Sequence, residues 1–282
     1  MDVAGDYVDD VAFAGDLAGN LWRFDLTGDN PSDWKVDLMF KTYGAGGGAV
    51  GDQPIAASPR VLADITRRNP MIVFGTGKFI GLPDRSAAIP EQSFYGIRDA
   101  GTCGPTADVP EACSAYPIEP DDLTEQSINQ SGSGVRSIAA SSEEVTTGWR
   151  IRLDVPSEPG ERAYESPFPF YDPNAVLLRS IIPKGVDPCD PGARYGLMVV
   201  NAATGAAFVN SVDPTPSNIV GGVVSSETPP GEPVVIRGGG EVLIPGLDPD
   251  NAGSAALDAI NESLQEADDV WHRGAWREIL NQ

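Results

Sequence analysis

The chain has 282 residues and a formal net charge of −22. That charge excludes a nucleic-acid partner and an anionic membrane surface, whose phosphates need clustered Lys and Arg, and it favours divalent cations. With 32 Gly, 25 Pro and 41% hydrophobic residues the composition is that of a loop-rich folded protein with short strands; it holds no run of eighteen apolar residues and no charged leader, so as given the chain is expected neither to span a membrane nor to carry its own export signal.

The first predicted element is an acidic loop. Asp2, Asp6 and Asp10 put carboxylates at positions 1, 5 and 9, with the Val8 carbonyl at position 7. In a calcium loop this spacing lets alternate residues of a coiled backbone turn oxygens toward one hard cation. An EF-hand would add an oxygen ligand at position 3, Gly at 6 and Glu at 12, where this chain has Ala4, Tyr7 and Phe13. Two readings follow: a nine-residue calcium loop feeding a strand, with water replacing the third-position side chain, or a solvated acidic loop.

A β-hairpin comes next, with Val11 and Phe13 before the Gly19-Asn20 turn and Leu21, Trp22 and Phe24 after it. Its period-two alternation places Trp22 and Phe24 on one face. The same order of strand, Gly-rich turn and aromatic strand recurs at 70–80, 92–99, 148–155 and 195–210, at an irregular spacing of roughly forty to fifty residues. This predicts an all-β, distorted and partial β-propeller of about five blades, at 7–42, 54–99, 135–165, 170–212 and 217–245. Too few blades to close a ring predict an open arc, a dimer or a piece of a longer product.

A long insertion at 101–134 carries Cys103 and Cys113 around a Gly/Pro-rich stretch, which reads as a disulfide made in an oxidising compartment or else as a pair of free thiols; Cys189 is left odd. Residues 1–250 are read as the blades and 251–282 as a closing unit. There Leu257, Ile260, Leu264, Ala267 and Trp271 fall at helical spacing, which predicts one C-terminal helix packed on the domain.

The search for chemistry finds no nucleophile elbow, Walker loop or zinc-protease motif, and the single His272 leaves little for a metal or catalytic His site. Gly75-Thr76-Gly77-Lys78 has the look of a phosphate loop, but between two apolar strands it reads as a turn. Asp16 and Asp25 have the types needed for general acid and base, against the simpler role of bonding turn amides. Trp22, Trp149 and Trp276 read as packing between blades. No enzyme is expected.

Taken in order, YVDDVAFAGDLAGNLWRFDL, QPIAASPRV, MIVFGTGKFI, QSFYGIRD, GWRIRLDV, GERAYESP, DPCDPGARYGLMVVNAATG and RGAWREI resemble the C-terminal propeller of the PilY family of type IV pilus tip adhesins and assembly factors. The resemblance implies a calcium site in a nine-residue DxNxDxxxD loop before the hairpin, which puts Asp2, Asp6, Val8 and Asp10 on Ca²⁺; Ala4 departs from that pattern and implies weaker affinity. It also implies regulation of pilus extension, retraction and adhesion, minor pilins as partners, and a pilus-tip location reached through the periplasm. Two alternatives remain: a secreted propeller that binds a glycan or host protein, and a quinoprotein-like enzyme, which FDLTG and NAATG bring to mind but which needs a closed funnel.

Overall fold

The structure is a computed structural model that describes residues 10–44, 46–62, 69–99, 116–139, 145–170, 175–185, 192–207, 218–226, 230–231, 234–236 and 241–243. Strands dominate these residues. The first sheet is the predicted hairpin extended by one strand: β1 (Val11–Gly15), β2 (Asn20–Asp25) and β3 (Lys35–Lys41), antiparallel in that order. Its turn is tight because Gly19 adopts φ +90, and a Cβ there would lie 2.1 Å from Thr42 Oγ1.

The second sheet contains β4 (Arg60–Leu62), β5 (Met71–Gly75), β6 (Ser93–Arg98), β7 (Thr124–Gln126) and, arriving after a long crossover, β10 (Gly148–Arg152). Their order is β4-β5-β6-β10-β7, with β10 antiparallel to β6 and parallel to β7. In the third sheet are β8 (Asn129–Gln130), β9 (Val135–Ser137), β11 (Arg162–Ala163), β12 (Phe168–Phe170), β13 (Ala175–Pro183), β14 (Ala193–Asn201) and β15 (Ile219–Ser226), in the order β11-β13-β14-β15-β9-β8 with β12 also on β13. A two-stranded ribbon, β16 (Val234–Ile236) and β17 (Glu241–Leu243), ends the described chain.

The blade-like units read from sequence at 7–42 and 54–99 are seen as sheets, but the unit at 135–165 divides: β9 joins β15 and β10 joins β6. The unit at 217–245 divides too, because β15 pairs with β14. At the β10–β6 seam Trp149 stands opposite Gly96, where a Cβ would lie 2.3 Å from the indole Cε2. A large ring needs a bare neighbour, and Gly96 supplies it.

The sheets stack through filled apolar layers. Leu21, Met39 and Phe40 of the first sheet meet Ile72, Phe74, Tyr95 and Ile97 of the second, with Phe40 5.9 Å from Phe74 and 5.0 Å from Tyr95 between ring centroids. The opposite face of the second sheet, with Val73, Phe94, Trp149 and Ile151, meets Val176, Leu178, Met198 and Val200 of the third. Strands covered on both faces, such as β5 and β13, are buried at every position, which explains their unbroken apolar runs MIVFG and AVLL.

A fully buried ion pair also lies in the third sheet. The Arg136 guanidinium donates to both Glu161 oxygens at 2.7 and 2.6 Å, Arg136 Nε donates to Gln130 at 2.8 Å, and the Ser180 hydroxyl donates to Glu161. Gly196 makes room, since a Cβ there would lie 2.6 Å from both Arg136 Nη1 and Glu161 Oε1. The helical pieces described are single 3-10 turns, and no helix among the described residues is long and apolar enough to cross a membrane. The predicted C-terminal helix, Trp276 and all three cysteines fall outside the described residues.

Removing one partner from a buried pair strands the other charge, at a cost of about 3–5 kcal/mol. Glu161→Ala should therefore lower unfolding free energy by about that amount in urea titrations, against about 1 kcal/mol or less for Glu91→Ala, whose ion pair with Arg152 leaves the two side chains 31% and 37% exposed.

Candidate functional site

Of the four proposed metal ligands the described residues include one. Asp10 is buried, 9% exposed, immediately before β1. Its carbonyl accepts from Leu26 N at 2.7 Å, which closes the far end of the β1–β2 ladder and commits that oxygen to the hairpin. Asp2, Asp6 and Val8 lie outside the described residues, and among the described ones there is no group of three or more His, Cys, Asp or Glu placed to hold a metal.

Residues 16–22, which join β1 to β2, form a tightly bonded turn. Asp16 Oδ1 accepts from the amides of Ala18 and Asn20, both at 2.9 Å, and Oδ2 accepts from Asn20 Nδ2 at 2.8 Å and Trp22 Nε1 at 2.9 Å. The Asp16 carbonyl accepts from Gly19 and Ile55, and Asn20 Oδ1 accepts from the Tyr43 hydroxyl. Asp16 thus takes up turn donors with both oxygens and fixes the Trp22 ring. Asp25 does the same one strand later, bonding Thr27 through N and Oγ1 and pairing with Arg23 at 3.1 Å. Burial pushes each carboxyl pKa up, but for Asp16 the donors Asn20, Trp22 and Ala18, and for Asp25 Thr27 and Arg23, outweigh it and hold both below the ordinary 3.8. These are turn carboxylates, as the simpler sequence reading has it.

Sequence reasoning did not find the clasp behind the hairpin. Arg23 is the buried charge on the inner face of β2; its Nε donates to Asp99 Oδ2 at 3.1 Å, and the Tyr116 hydroxyl donates to Asp99 Oδ1 at 2.7 Å. Burial lowers the Arg23 pKa, but Asp99 and Asp25 outweigh this and raise it; burial, reinforced by Asp99, pushes Tyr116 well above its ordinary value. The clasp ties the first sheet to the end of β6 and to the segment that adds Ile118 beside β3. The available signal was a lone arginine at an inward position of an otherwise aromatic strand, which demands a buried carboxylate.

The GTGK turn is likewise bonded into the fold. Thr76 N donates to Ser93 O at 2.9 Å, Gly77 N to Pro54 O at 2.8 Å, and Ala163 N to Thr76 O at 2.9 Å. With the amides of Thr76 and Gly77 spent on neighbouring strands, no phosphate cradle forms.

What this geometry defines is a propeller-type arrangement: stacked β-sheets, fixed at one end by a hairpin whose approach is acidic. A family model described as the PilY1 beta-propeller domain matches residues 1–130. Type IV pilus biogenesis factor PilY1 of one Pseudomonas aeruginosa strain is 28% identical over 240 residues, covering 71% of this chain and 20% of that protein. In another strain of the same species the figures are 31% over 225 residues, 68% and 19%. A PilY1 homolog of Xylella fastidiosa is 30% identical over 200 residues, 70% of this chain and 15% of the homolog. The crystal structure of the Pseudomonas aeruginosa PilY1 C-terminal domain shares the fold, with TM-score 0.61 and 23% identity over 88% of this chain and 58% of that one.

The chain belongs to the PilY1 family, as a partial propeller. It spans about a fifth or less of the length of these curated relatives.

The Asp16 turn has a pH signature. Because the folded pKa is lowered, its stabilisation is complete above the unfolded value of 3.8 and is lost as pH falls through the lower folded value. Asp16→Ala, which leaves four donors without their acceptor, should cost about 1–3 kcal/mol at pH 7. In thermal melts the gap between wild type and variant should narrow at pH 3.

Proposed function

We propose that this chain is the calcium-binding propeller domain of a type IV pilus tip and biogenesis protein, which regulates pilus extension, retraction and surface adhesion. The observation that supports this most is the GDLAGNLWRFDL hairpin, which sits directly behind an acidic loop in a chain aligned over about 70% of its length with proteins named as type IV pilus biogenesis factors. The domain then acts at the outer cell surface, after passage through the periplasm, with minor pilins as its partners. Export also suits a Cys103–Cys113 disulfide.

Within this reading Ca²⁺ is held by the carboxylates of Asp2, Asp6 and Asp10 and the carbonyl of Val8. The residues suit a hard cation: Asp2, Asp6 and Asp10, with Asp9 beside them, crowd carboxylates into nine positions, and these repel one another until neutralised. Bound metal would supply positive charge and join the loop to the start of β1. Ala4 offers no side-chain oxygen, so affinity falls in the weak extracellular range of about 10⁻⁴ to 10⁻³ M.

A second reading, a propeller that captures a surface ligand through its loops, is favoured by one observation. Phe79, Ile80 and Leu82 are exposed at 37%, 78% and 68% on a loop held stiff from below. Asp84 accepts from the amides of Ile80 and Gly81, and the buried Arg162 donates to the carbonyls of Asp84 and Ser86.

Isothermal titration with Ca²⁺ tests the calcium reading. Wild type should bind one ion and Asp6→Ala none, and in the pilus-bearing cell Asp6→Ala should change pilus number or twitching without preventing export. Equal heats for the two proteins, or no heat at millimolar calcium, would refute it. Ile80→Asp separates the second reading, because it should reduce surface attachment while leaving pilus number unchanged.

A further inference from the structure

The hairpin β8–β9 leaves the second sheet and returns to it. The chain arrives from β7 and goes on to β10, neighbours in the second sheet, yet between them β9 pairs with β15 at the edge of the third. Both roots of the hairpin therefore belong to one sheet and its body to another, so the body can swing off the third sheet while β7 and β10 stay paired.

Two isoleucines hold the roots. Ile138 is fully buried in the apolar layer between the second and third sheets, and Ile128 packs against that layer. Of residues 129–137, which lie between them, only Arg136 is buried, and the single large apolar side chain, Val135, is half-buried. A segment with so few buried apolar contacts belongs to the low end of local stability. Its backbone hold is equally slight. β9 meets β15 over three residue pairs with a shift in register, supplemented by Val223 N donating to Gly134 O at 2.9 Å.

We infer that residues 129–137 form a strap that opens and closes on the third sheet as one unit, with Arg136 as its latch; this goes beyond the pilus reading. The latch joins the strap to the loop before β11. The Arg136 guanidinium holds both Glu161 oxygens, its Nε holds Gln130, and Gln130 Nε2 donates to Glu158 Oε1 at 2.7 Å and to Ser157 Oγ at 3.1 Å. Partial withdrawal would leave the guanidinium between the sheets without its acceptors, at the cost of an unpaired buried charge. Full withdrawal hydrates it. Two end states are thus favoured over anything between them, which is what a switching element requires. The open state is also provided for on the other side, because Arg194 stays on Glu158 and the Ser180 hydroxyl stays on Glu161. With the strap away, the side of β15 that β9 covers becomes a free edge of the third sheet.

Native-state hydrogen exchange, read residue by residue by NMR across low urea concentrations, tests this. The amides of Ser131 and Gly134, bonded within the hairpin, and of Val223, bonded to it, should share one protection factor, because so short a hairpin does not hold in water by itself. That factor should be smaller than those of β13 and β14 and less sensitive to urea, as expected for an opening that exposes little surface. Arg136→Gln should lower it at least about tenfold. If circular dichroism shows that variant unfolded, Gln130→Ala removes the link to Glu158 and should lower it about threefold or more. Strap amides that exchange in the wild type only with global unfolding would overturn the inference. So would amides that fray one by one from the hairpin tip, or a shared factor that the folded variant leaves unchanged.

Discussion

Trp149 governs how the sheets assemble. It lies on β10, fully buried, with its indole N–H donated to the Ala202 carbonyl at 2.9 Å. Two glycines leave room for the ring: Gly96 on β6, and Gly205 at φ +68 in the turn after β14, where a Cβ would come within 2.5 Å of Cδ2. Gly96 sets the register of β10 within the second sheet, and the Ala202 and Gly205 contacts hold the third sheet against it. The long crossover from β6 to β10 is tolerable because this lock, with the apolar layer around it, compensates the chain entropy of closing so distant a contact.

From that interface outward the fold is a sequence of layers, each with a polar lock. The Arg136–Glu161–Ser180 group secures the third sheet, the Arg162 fork secures the loop carrying Phe79 and Ile80, and the Arg23–Asp99–Tyr116 clasp secures the first sheet. Buried arginines recur because a planar guanidinium satisfies several acceptors at once where long loops pass between sheets. In a chain so acidic, these few arginines are placed where an unpaired carboxylate would cost most.

The hairpin was legible in the sequence. Period-two alternation put Trp22 and Phe24 on one face, and Gly19-Asn20 marked the turn, because these depend on residues within a dozen positions of one another. The all-β class and the partial propeller were legible for the same reason, as was the simpler reading of Asp16 and Asp25. Strand partnership was not. That β10 joins β6, with Trp149 opposite a glycine more than fifty residues away, and that β9 joins β15 are pairings between distant segments, which local alternation does not encode. The clasp was equally hidden, since Arg23 and Asp99 are 76 positions apart. Of the four loop ligands, Asp10 alone falls among the described residues, as a buried side chain whose carbonyl serves the ladder.

The account joins a charge-dense loop to a rigid hairpin, so that a cation in the loop would act first on β1, then through β2 on the clasp. Hydrogen–deuterium exchange on the first sheet, with and without millimolar calcium, tests that link most directly. The account predicts slower exchange at the amides of β1 and β2 when calcium is present, with the third sheet unchanged. Identical exchange at β1 and β2 in both conditions would contradict it.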